Sequence, residues 1–165
     1  MATVPRWRRA LETVTTRRPV VRALSHILYR FDAPLFRLMS GRSPWGWGYP
    51  FLLLTTTGAR SGRPRSVPLL YVDLEGGAIA LVGSNFGGPR TPAWCVNLRA
   101  DPACSVLRDG CSWAATAREP AGPEREAIWA TAEATYSGFA HYRSWASGRE
   151  LPLFVLTPAE PAPPR

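Results

Sequence analysis

The sequence predicts a mainly β domain with added helices, an α+β fold in which five or six antiparallel strands form a small barrel. Short apolar runs separated by Gly and Pro turn signals begin near residue 51 and are typical of strands. The 165 residues include 17 Pro and 14 Gly, which break the chain too often for a helical bundle. Helical patterns fall at only some of the crossovers, which argues against a doubly wound parallel sheet.

The first 44 residues differ from the rest in charge and periodicity. Residues 1–42 hold nine arginines against Glu12 and Asp32, a balance of +7 out of the chain's total of +8. Apolar residues recur at steps of three and four across residues 20–39, which predicts an amphipathic helix that Pro34 kinks or splits. We therefore divide the chain into a basic amphipathic arm (1–44), a barrel domain (45–158) and a Pro-rich tail (159–165).

The strands and helices of the barrel domain are predicted from their boundaries. Gly76-Gly77 and Asp109-Gly110 are sequences favoured in tight hairpins. Pro123 and Glu124 suit the first turn of a helix, where a missing amide and a negative charge are both favourable. These signals predict strands at residues 51–57, 65–73, 78–84, 103–108, 111–119 and 153–156. They predict helices at residues 92–100, 122–136 and 139–145.

Several kinds of chemistry lack the residues they need. The three cysteines form no C-x-x-C pair and the two histidines are far apart, so no metal site is predicted. All 20 basic residues are arginine, which removes lysine nucleophiles and Schiff bases. The odd number of cysteines, with neither a secretory signal nor a long apolar segment, favours a reduced protein in the cytoplasm.

Two loops and one helix are candidates for holding a cofactor, which would bring reactive groups that the chain lacks. The turn from Gly58 to Arg65 combines glycines with Arg60, Ser61 and Arg63, a composition that suits an anion but also an ordinary solvated hairpin loop. The loop Ser84–Arg90 precedes a helix and is either a second anion site or a simple connection. Trp94 and Asn97 share one side of that helix and suit either the core or a cofactor contact.

Four ordered motifs resemble one enzyme family. Residues 54–69 (LTTTGARSGRPRSVPL) resemble the T-T-x-G-R-x-S-G-x-P-R-x-x-P-L segment of the deazaflavin-dependent nitroreductase and quinone reductase family. Residues 84–87 with 92–98 are similar to its second motif, and Asp101-Pro102, Tyr136 and residues 149–156 follow in order. The resemblance covers about residues 45–158.

This resemblance implies a split β-barrel related to flavin-binding oxidoreductases, with coenzyme F-420 bound in place of FMN. It implies that Arg60, Ser61 and Arg65 hold the phosphate and acidic tail of the coenzyme. Tyr136 and Tyr142 would lie at the acceptor pocket, where one of them could donate a proton. Residues implied to line the coenzyme ring or the adjacent pocket are Val67, Pro68, Ser84, Asn85, Ala93, Trp94 and Asn97.

The chain departs from the family pattern at three positions. Phe139 stands where a third tyrosine often occurs, and Cys95 replaces an aromatic residue that commonly follows the tryptophan. Ala59 precedes Arg60 where the family often has two consecutive basic residues. The first two departures concern the acceptor side of the site, so the acceptor is less well defined than the coenzyme.

The expected activity is hydride transfer from reduced F-420 to a quinone, a nitro-aromatic compound or a similar conjugated acceptor. One alternative is a non-catalytic barrel that binds a flavin-like or haem-like ligand, and another is a membrane or nucleic-acid adaptor that acts through the basic arm. A nearly neutral barrel domain disfavours nucleic acid as a partner. The arm either packs on the barrel or binds the anionic inner face of the cell membrane. A homodimer remains open.

Overall fold

The computed structural model describes residues 49–146 and 148–160. This part of the chain contains six strands and three α-helices, with short 3-10 turns at Glu75–Gly77 and Asn85–Gly87. The strands are β1 (Phe51–Thr57), β2 (Pro64–Asp73), β3 (Ile79–Val82), β4 (Ala103–Arg108), β5 (Cys111–Arg118) and β6 (Leu153–Pro158). The helices are α1 (Ala93–Ala100), α2 (Gly122–Thr135) and α3 (Gly138–Trp145).

The six strands close into an antiparallel barrel in the order β1-β2-β3-β6-β5-β4. Hairpins join β1 to β2 and β4 to β5, and pairing between β1 and β4 closes the barrel, with Leu53 opposite Leu107. Closure gives each strand a partner on both sides, so the barrel has no open sheet edge. The predicted antiparallel barrel with helices at its crossovers is confirmed.

Two apolar clusters hold the barrel and its helices together. One fills the barrel interior and includes Leu52, Leu54 and Leu81, all fully buried. The other lies between the barrel wall and the helices α2 and α3, and includes Trp129 and Phe139. Every residue of β3 is buried because alternate side chains enter the two clusters. The helices therefore lie over β3 and β6, next to the loop that follows β3.

Two strands end two residues away from the predicted position. β3 ends at Val82 rather than at residue 84. The next residue, Gly83, lies so close to the rest of the chain that an added Cβ would be 2.6 Å from the Cys95 sulphur. β6 continues to Pro158 because Thr157 and Pro158 pair with Thr116 and Ala115 on β5. The apolar pattern used for prediction does not extend into this polar end of β6.

The predicted arm (1–44) and most of the Pro-rich tail lie outside the described residues. The amphipathic helix and the kink predicted at Pro34 therefore remain predictions. Among the helices that are described, none is long and apolar enough to cross a membrane.

Candidate functional site

The β1–β2 turn is closed by backbone hydrogen bonds. The Gly58 amide donates to the Arg63 carbonyl at 2.9 Å, and the Gly62 amide donates back to the Gly58 carbonyl at 2.8 Å. Gly58 has no room for a side chain, since an added Cβ would lie 2.7 Å from the Ser61 hydroxyl oxygen. Gly62 takes the left-handed conformation with φ of 62°, which favours glycine. The turn is therefore a defined loop built around its two glycines.

The turn carries positive charge that no carboxylate in the described part of the chain neutralises. Arg60, Arg63 and Arg65 are exposed, and no ion pair joins them to a described residue. Five other arginines lie within 4.0 Å of a carboxylate oxygen: Arg99, Arg108, Arg118, Arg125 and Arg143. Three arginines without a carboxylate partner thus lie together where the sequence predicts an anion-binding site.

A buried amide from α1 fixes the turn to the barrel. The Asn97 side-chain oxygen accepts from the Ala59 backbone amide at 3.0 Å, and its nitrogen donates to the Thr56 hydroxyl, also at 3.0 Å. Asn97 is only 7% exposed, so these bonds are made away from solvent. Its side chain joins the last part of β1 to the first part of the turn. Asn97 therefore holds the backbone between Thr56 and Arg60 in place.

The loop after β3 has an uncommon backbone. Asn85 and Phe86 have φ values of 47° and 53°, and Gly87 follows with 69°, so three successive residues are left-handed. Such conformations in residues other than glycine cost free energy and are concentrated at functional sites. The Asn85 side chain caps the segment by donating to the Arg90 carbonyl at 2.9 Å.

Aromatic rings from α3 and its surroundings form one continuous wall beside this loop. The Tyr136 and Tyr142 hydroxyl oxygens are 3.2 Å apart and share a hydrogen bond. Phe139 packs edge-on against Tyr136 with ring centres 5.5 Å apart, and Phe86 packs edge-on against Tyr142 at 5.8 Å. We call the rings of these four residues and Trp145 the aromatic wall. Phe139 and Tyr142 are 5% and 4% exposed, so the partly exposed rings of the wall are those of Phe86, Tyr136 and Trp145, beside one pair of hydroxyl groups.

Neither Cys95 nor Cys104 provides a nucleophile near this site. Burial raises the pKa of the Cys95 thiol well above its usual value, although the charge of Arg99 partly opposes this effect. Burial also raises the pKa of Cys104 to about 11. Both groups are neutral thiols at physiological pH, and a thiol reacts through its thiolate. The cysteine that replaces an aromatic residue after Trp94 is thus a packing residue, against Gly83.

The predicted site residues fall into separate places. Arg60 and Ser61 lie in the β1–β2 turn, with which Asn97 makes contact, and Arg65 lies at the start of β2. Trp94 is 4% exposed and packs on Phe154 with ring centres 5.6 Å apart. Most of its ring therefore belongs to the barrel core. The other predicted ring contacts are partly buried on β2 (Val67 and Pro68), exposed at the start of α1 (Ala93), or on the loop after β3 (Ser84 and Asn85).

Sequence reasoning missed two contributors to this region. Arg149 reaches the loop after β3, and its nitrogen Nη2 donates to the Ser84 and Gly88 carbonyls. Trp145 continues the aromatic wall, with its ring centre 5.8 Å from that of Tyr142. The Arg149 segment was noted only as part of a motif, because no local pattern shows that a side chain reaches 61 to 65 residues back along the chain.

The site fits an elongated anionic coenzyme of the F-420 type. The exposed Arg60, Arg63 and Arg65, which pair with no described carboxylate, suit its phosphate and acidic tail, since ionic hydrogen bonds to guanidinium groups are strong. Asn97 then joins that turn to the helix whose first residues are predicted to contact the ring. These placements support the residues carried over from the resemblance, whose roles remain predictions.

Comparison with known proteins gives the family. The sequence profile of the F420H(2)-dependent quinone reductases matches residues 28–158. An F420H(2)-dependent quinone reductase from Mycobacterium tuberculosis is 35% identical over 111 residues, which are 66% of this chain and 73% of that protein.

Two solved structures are also similar. One described as an F420-H2 dependent reductase, FDR-A, is 39% identical over 66% of this chain and 94% of its own, with a TM-score of 0.60. Another, described as a domain-swapped dimer, is 34% identical over 75% of this chain and 94% of its own, with a TM-score of 0.62. The barrel is thus the split β-barrel that the resemblance implied, and the chain belongs to the F420H(2)-dependent quinone reductase family, oxidoreductases whose cofactor is coenzyme F-420.

Proposed function

We propose that the protein uses reduced F-420 to reduce a quinone, and that nitro-aromatic compounds are secondary acceptors. The observation that carries this proposal is the pairing of an uncompensated arginine turn with an aromatic wall that contains a single hydroxyl pair. The first feature suits the coenzyme's anionic end, and the second suits a planar acceptor with one oxygen to be protonated.

On the coenzyme side, residues of the chain bind F-420 and orient it. Arg60, Ser61 and Arg65 hold the phosphate and the acidic tail, and Asn97 fixes the backbone on which two of these side chains are mounted. Six residues are proposed to enclose the coenzyme ring: Val67, Pro68, Ser84, Asn85, Ala93 and Trp94. When bound, reduced F-420 supplies the hydride. Holding the donor and acceptor in one geometry can account for a large part of the rate enhancement.

On the acceptor side, the aromatic wall excludes water and supplies a proton. Phe86 and Tyr136 offer partly exposed ring surface with the buried Phe139 packed behind Tyr136, and the Tyr136 and Tyr142 hydroxyl groups hydrogen-bond to each other. Reduction of a quinone to a hydroquinone needs one hydride and one proton, which a phenol beside the acceptor oxygen can donate. Reduction of a nitro group to a nitroso group takes one hydride and one proton and releases one water, and a second hydride and a second proton give the hydroxylamine. Phe139, which stands at the position of a family tyrosine, provides no third hydroxyl from which the second proton could come.

The proposal is tested with menadione and a nitro-aromatic compound as acceptors, using reduced F-420 as the donor. We expect faster turnover with menadione, and no activity when NADPH replaces F-420. Parallel titrations with FMN and haem separate this function from the alternative of a non-catalytic flavin or haem binder. Tight FMN or haem binding without F-420 binding would contradict the proposal.

We expect Tyr142→Phe to lower kcat by roughly 100-fold or more with little change in KM, because a positioned proton donor typically contributes about 10²- to 10⁴-fold. Tyr136→Phe tests whether the hydrogen-bonded neighbour donates instead. Ser144→Ala is the control, since Ser144 lies on the same helix with its hydroxyl bound to the His141 carbonyl. If both phenylalanine variants keep full activity, the proton comes from solvent.

Two partners follow from weaker observations. A similar structure is described as a domain-swapped dimer, so we propose that this chain also forms a homodimer. Attachment of residues 1–42 to an anionic membrane surface is proposed from their charge of +7 and the amphipathic pattern of residues 20–39. Sedimentation analysis and co-sedimentation with anionic and neutral vesicles would test these two proposals.

A further inference from the structure

One guanidinium nitrogen connects both ends of the left-handed loop Ser84–Gly88. Nη2 of Arg149 donates to the Gly88 carbonyl at 2.9 Å and to the Ser84 carbonyl at 3.2 Å. Arg149 lies between α3 and β6, so it comes from a segment far from the loop in sequence. These two bonds close the loop from outside, in addition to its own bonds from the Gly87 and Gly88 amides.

The loop needs such support because its conformation is unfavourable. Asn85 and Phe86 are both left-handed, and each such residue other than glycine costs free energy that only the surrounding contacts can offset. The internal bonds, from Gly87 to the Ser84 carbonyl at 2.9 Å and from Gly88 to the Asn85 carbonyl at 2.8 Å, are those of short turns. Without an external donor, we expect the loop to populate other conformations.

The same loop packs directly on the helix that carries Tyr142. An added Cβ on Gly87 would lie 2.8 Å from the Trp145 Cβ and 3.1 Å from the Tyr142 carbonyl oxygen. The Phe86 ring contacts the Tyr142 ring edge-on, with centres 5.8 Å apart. The loop therefore joins the residues proposed to contact the coenzyme ring, Ser84 and Asn85, to the aromatic wall.

The two other guanidinium nitrogens of Arg149, Nε and Nη1, are buried and make no hydrogen bond within residues 49–146 and 148–160. A buried cation with unpaired donors is costly, and a neutral side chain would avoid that cost. The position holds an arginine despite the cost, and the contacts that its guanidinium group does make are to the loop.

We propose that Arg149 is a positioning residue that holds Ser84–Gly88 in the conformation that receives the coenzyme ring, and that fixes this loop against Tyr142. The inference rests on the proposed function, because it concerns the same site. It gives Arg149 no contact with the coenzyme or the acceptor. Its effect is on the fraction of molecules whose loop is ready to bind, and the apparent Kd rises as that fraction falls.

The experiment combines amide hydrogen exchange without coenzyme and fluorescence titration with F-420. For Arg149→Gln, we expect roughly one molecule in ten to keep the competent loop conformation, so that the Gly87 and Gly88 amides lose nearly all of their protection and the Kd for F-420 rises about 10-fold. For Arg149→Lys, which keeps the charge but not the planar donor group, we expect a smaller loss of both. In these variants kcat should fall, while the KM for the quinone should change less. The reason is that the aromatic wall around the acceptor is displaced from the coenzyme ring.

Arg143→Gln is the matched control. Arg143 is exposed on α3, where it pairs with Glu126 and lies over the Trp129 ring, away from the loop. The Arg143→Gln variant loses the same charge from the same region. We expect its amide exchange and its F-420 affinity to equal those of the wild-type protein. If Arg149→Gln behaves like this control, the proposal is wrong.

Two further outcomes decide the remaining cases. If Arg149→Gln does not fold, Arg149→Lys is decisive, and wild-type protection and affinity in that variant would overturn the proposal. Unprotected Gly87 and Gly88 amides in the wild-type protein would also overturn it. Because exchange is measured without coenzyme, it separates failure of this inference from failure of the proposed function, which would appear as no F-420 binding by the wild-type protein.

Discussion

Arg60→Ala and Arg65→Ala are each expected to raise the Kd for F-420 by roughly 10- to 150-fold. This range corresponds to the loss of one hydrogen bond to an ionised group, about 1.5–3 kcal/mol. Both guanidinium groups are exposed and pair with no carboxylate among the described residues, so they are available to the coenzyme without breaking another contact. Fluorescence titration of the purified variants measures the change.

Arg63→Ala provides the matched control for these variants. Arg63 lies in the same turn and is equally exposed, but its match to the family motif is weaker. We expect a smaller effect, mainly through the general positive potential, and this effect should shrink as salt is added because exposed charges are screened. The direct losses at Arg60 and Arg65 should persist at higher salt. Equal and negligible losses at all three positions would show that the turn is an ordinary solvated loop.

The strands could be predicted from sequence because their boundaries are local. The Asp109-Gly110 turn between β4 and β5 is formed by two left-handed residues, as such a pair predicts in a hairpin. β1 and β4 agree with the prediction at both ends. β6 was predicted too short because its last residues are held by pairing with β5, a contact between distant parts of the chain.

The candidate site was predictable only where its chemistry lies in one segment. The arginine turn is continuous in sequence, so its charge and glycines could be read directly. The left-handed Phe86 could not be foreseen, since a bulky aromatic residue normally avoids that conformation. Arg149 and its two carbonyl partners lie more than 60 residues apart in sequence, and only the closed barrel brings them together. The sequence therefore indicated residues that would contact the ligands, but it did not indicate the residues that hold those contacts in position.

Asn97→Ala should affect both stability and coenzyme binding. The variant leaves the Thr56 hydroxyl, in a residue only 2% exposed, without its partner at a cost of about 1–3 kcal/mol, and it removes the hydrogen bond of the exposed Ala59, worth about 0.5–1.5 kcal/mol. We expect Tm to fall by roughly 5–15 °C in a protein of this size. Below that temperature, the Kd for F-420 should rise, because the backbone that carries Arg60 is no longer held to α1.

Two companion variants separate these effects. Thr56→Val removes the bond from Asn97 and a long bond of 3.5 Å to the Arg65 carbonyl but keeps the bond between Ala59 and Asn97, so we expect a smaller loss of Tm and a Kd closer to that of the wild-type protein. Arg99→Ala lies on the same helix and breaks an exposed ion pair with Glu119, which is worth little. Thermal unfolding and F-420 titration of all three variants give the comparison. If Asn97→Ala lowers Tm but binds F-420 as tightly as Thr56→Val does, the turn keeps its shape without Asn97, and the proposed link between α1 and the coenzyme is wrong.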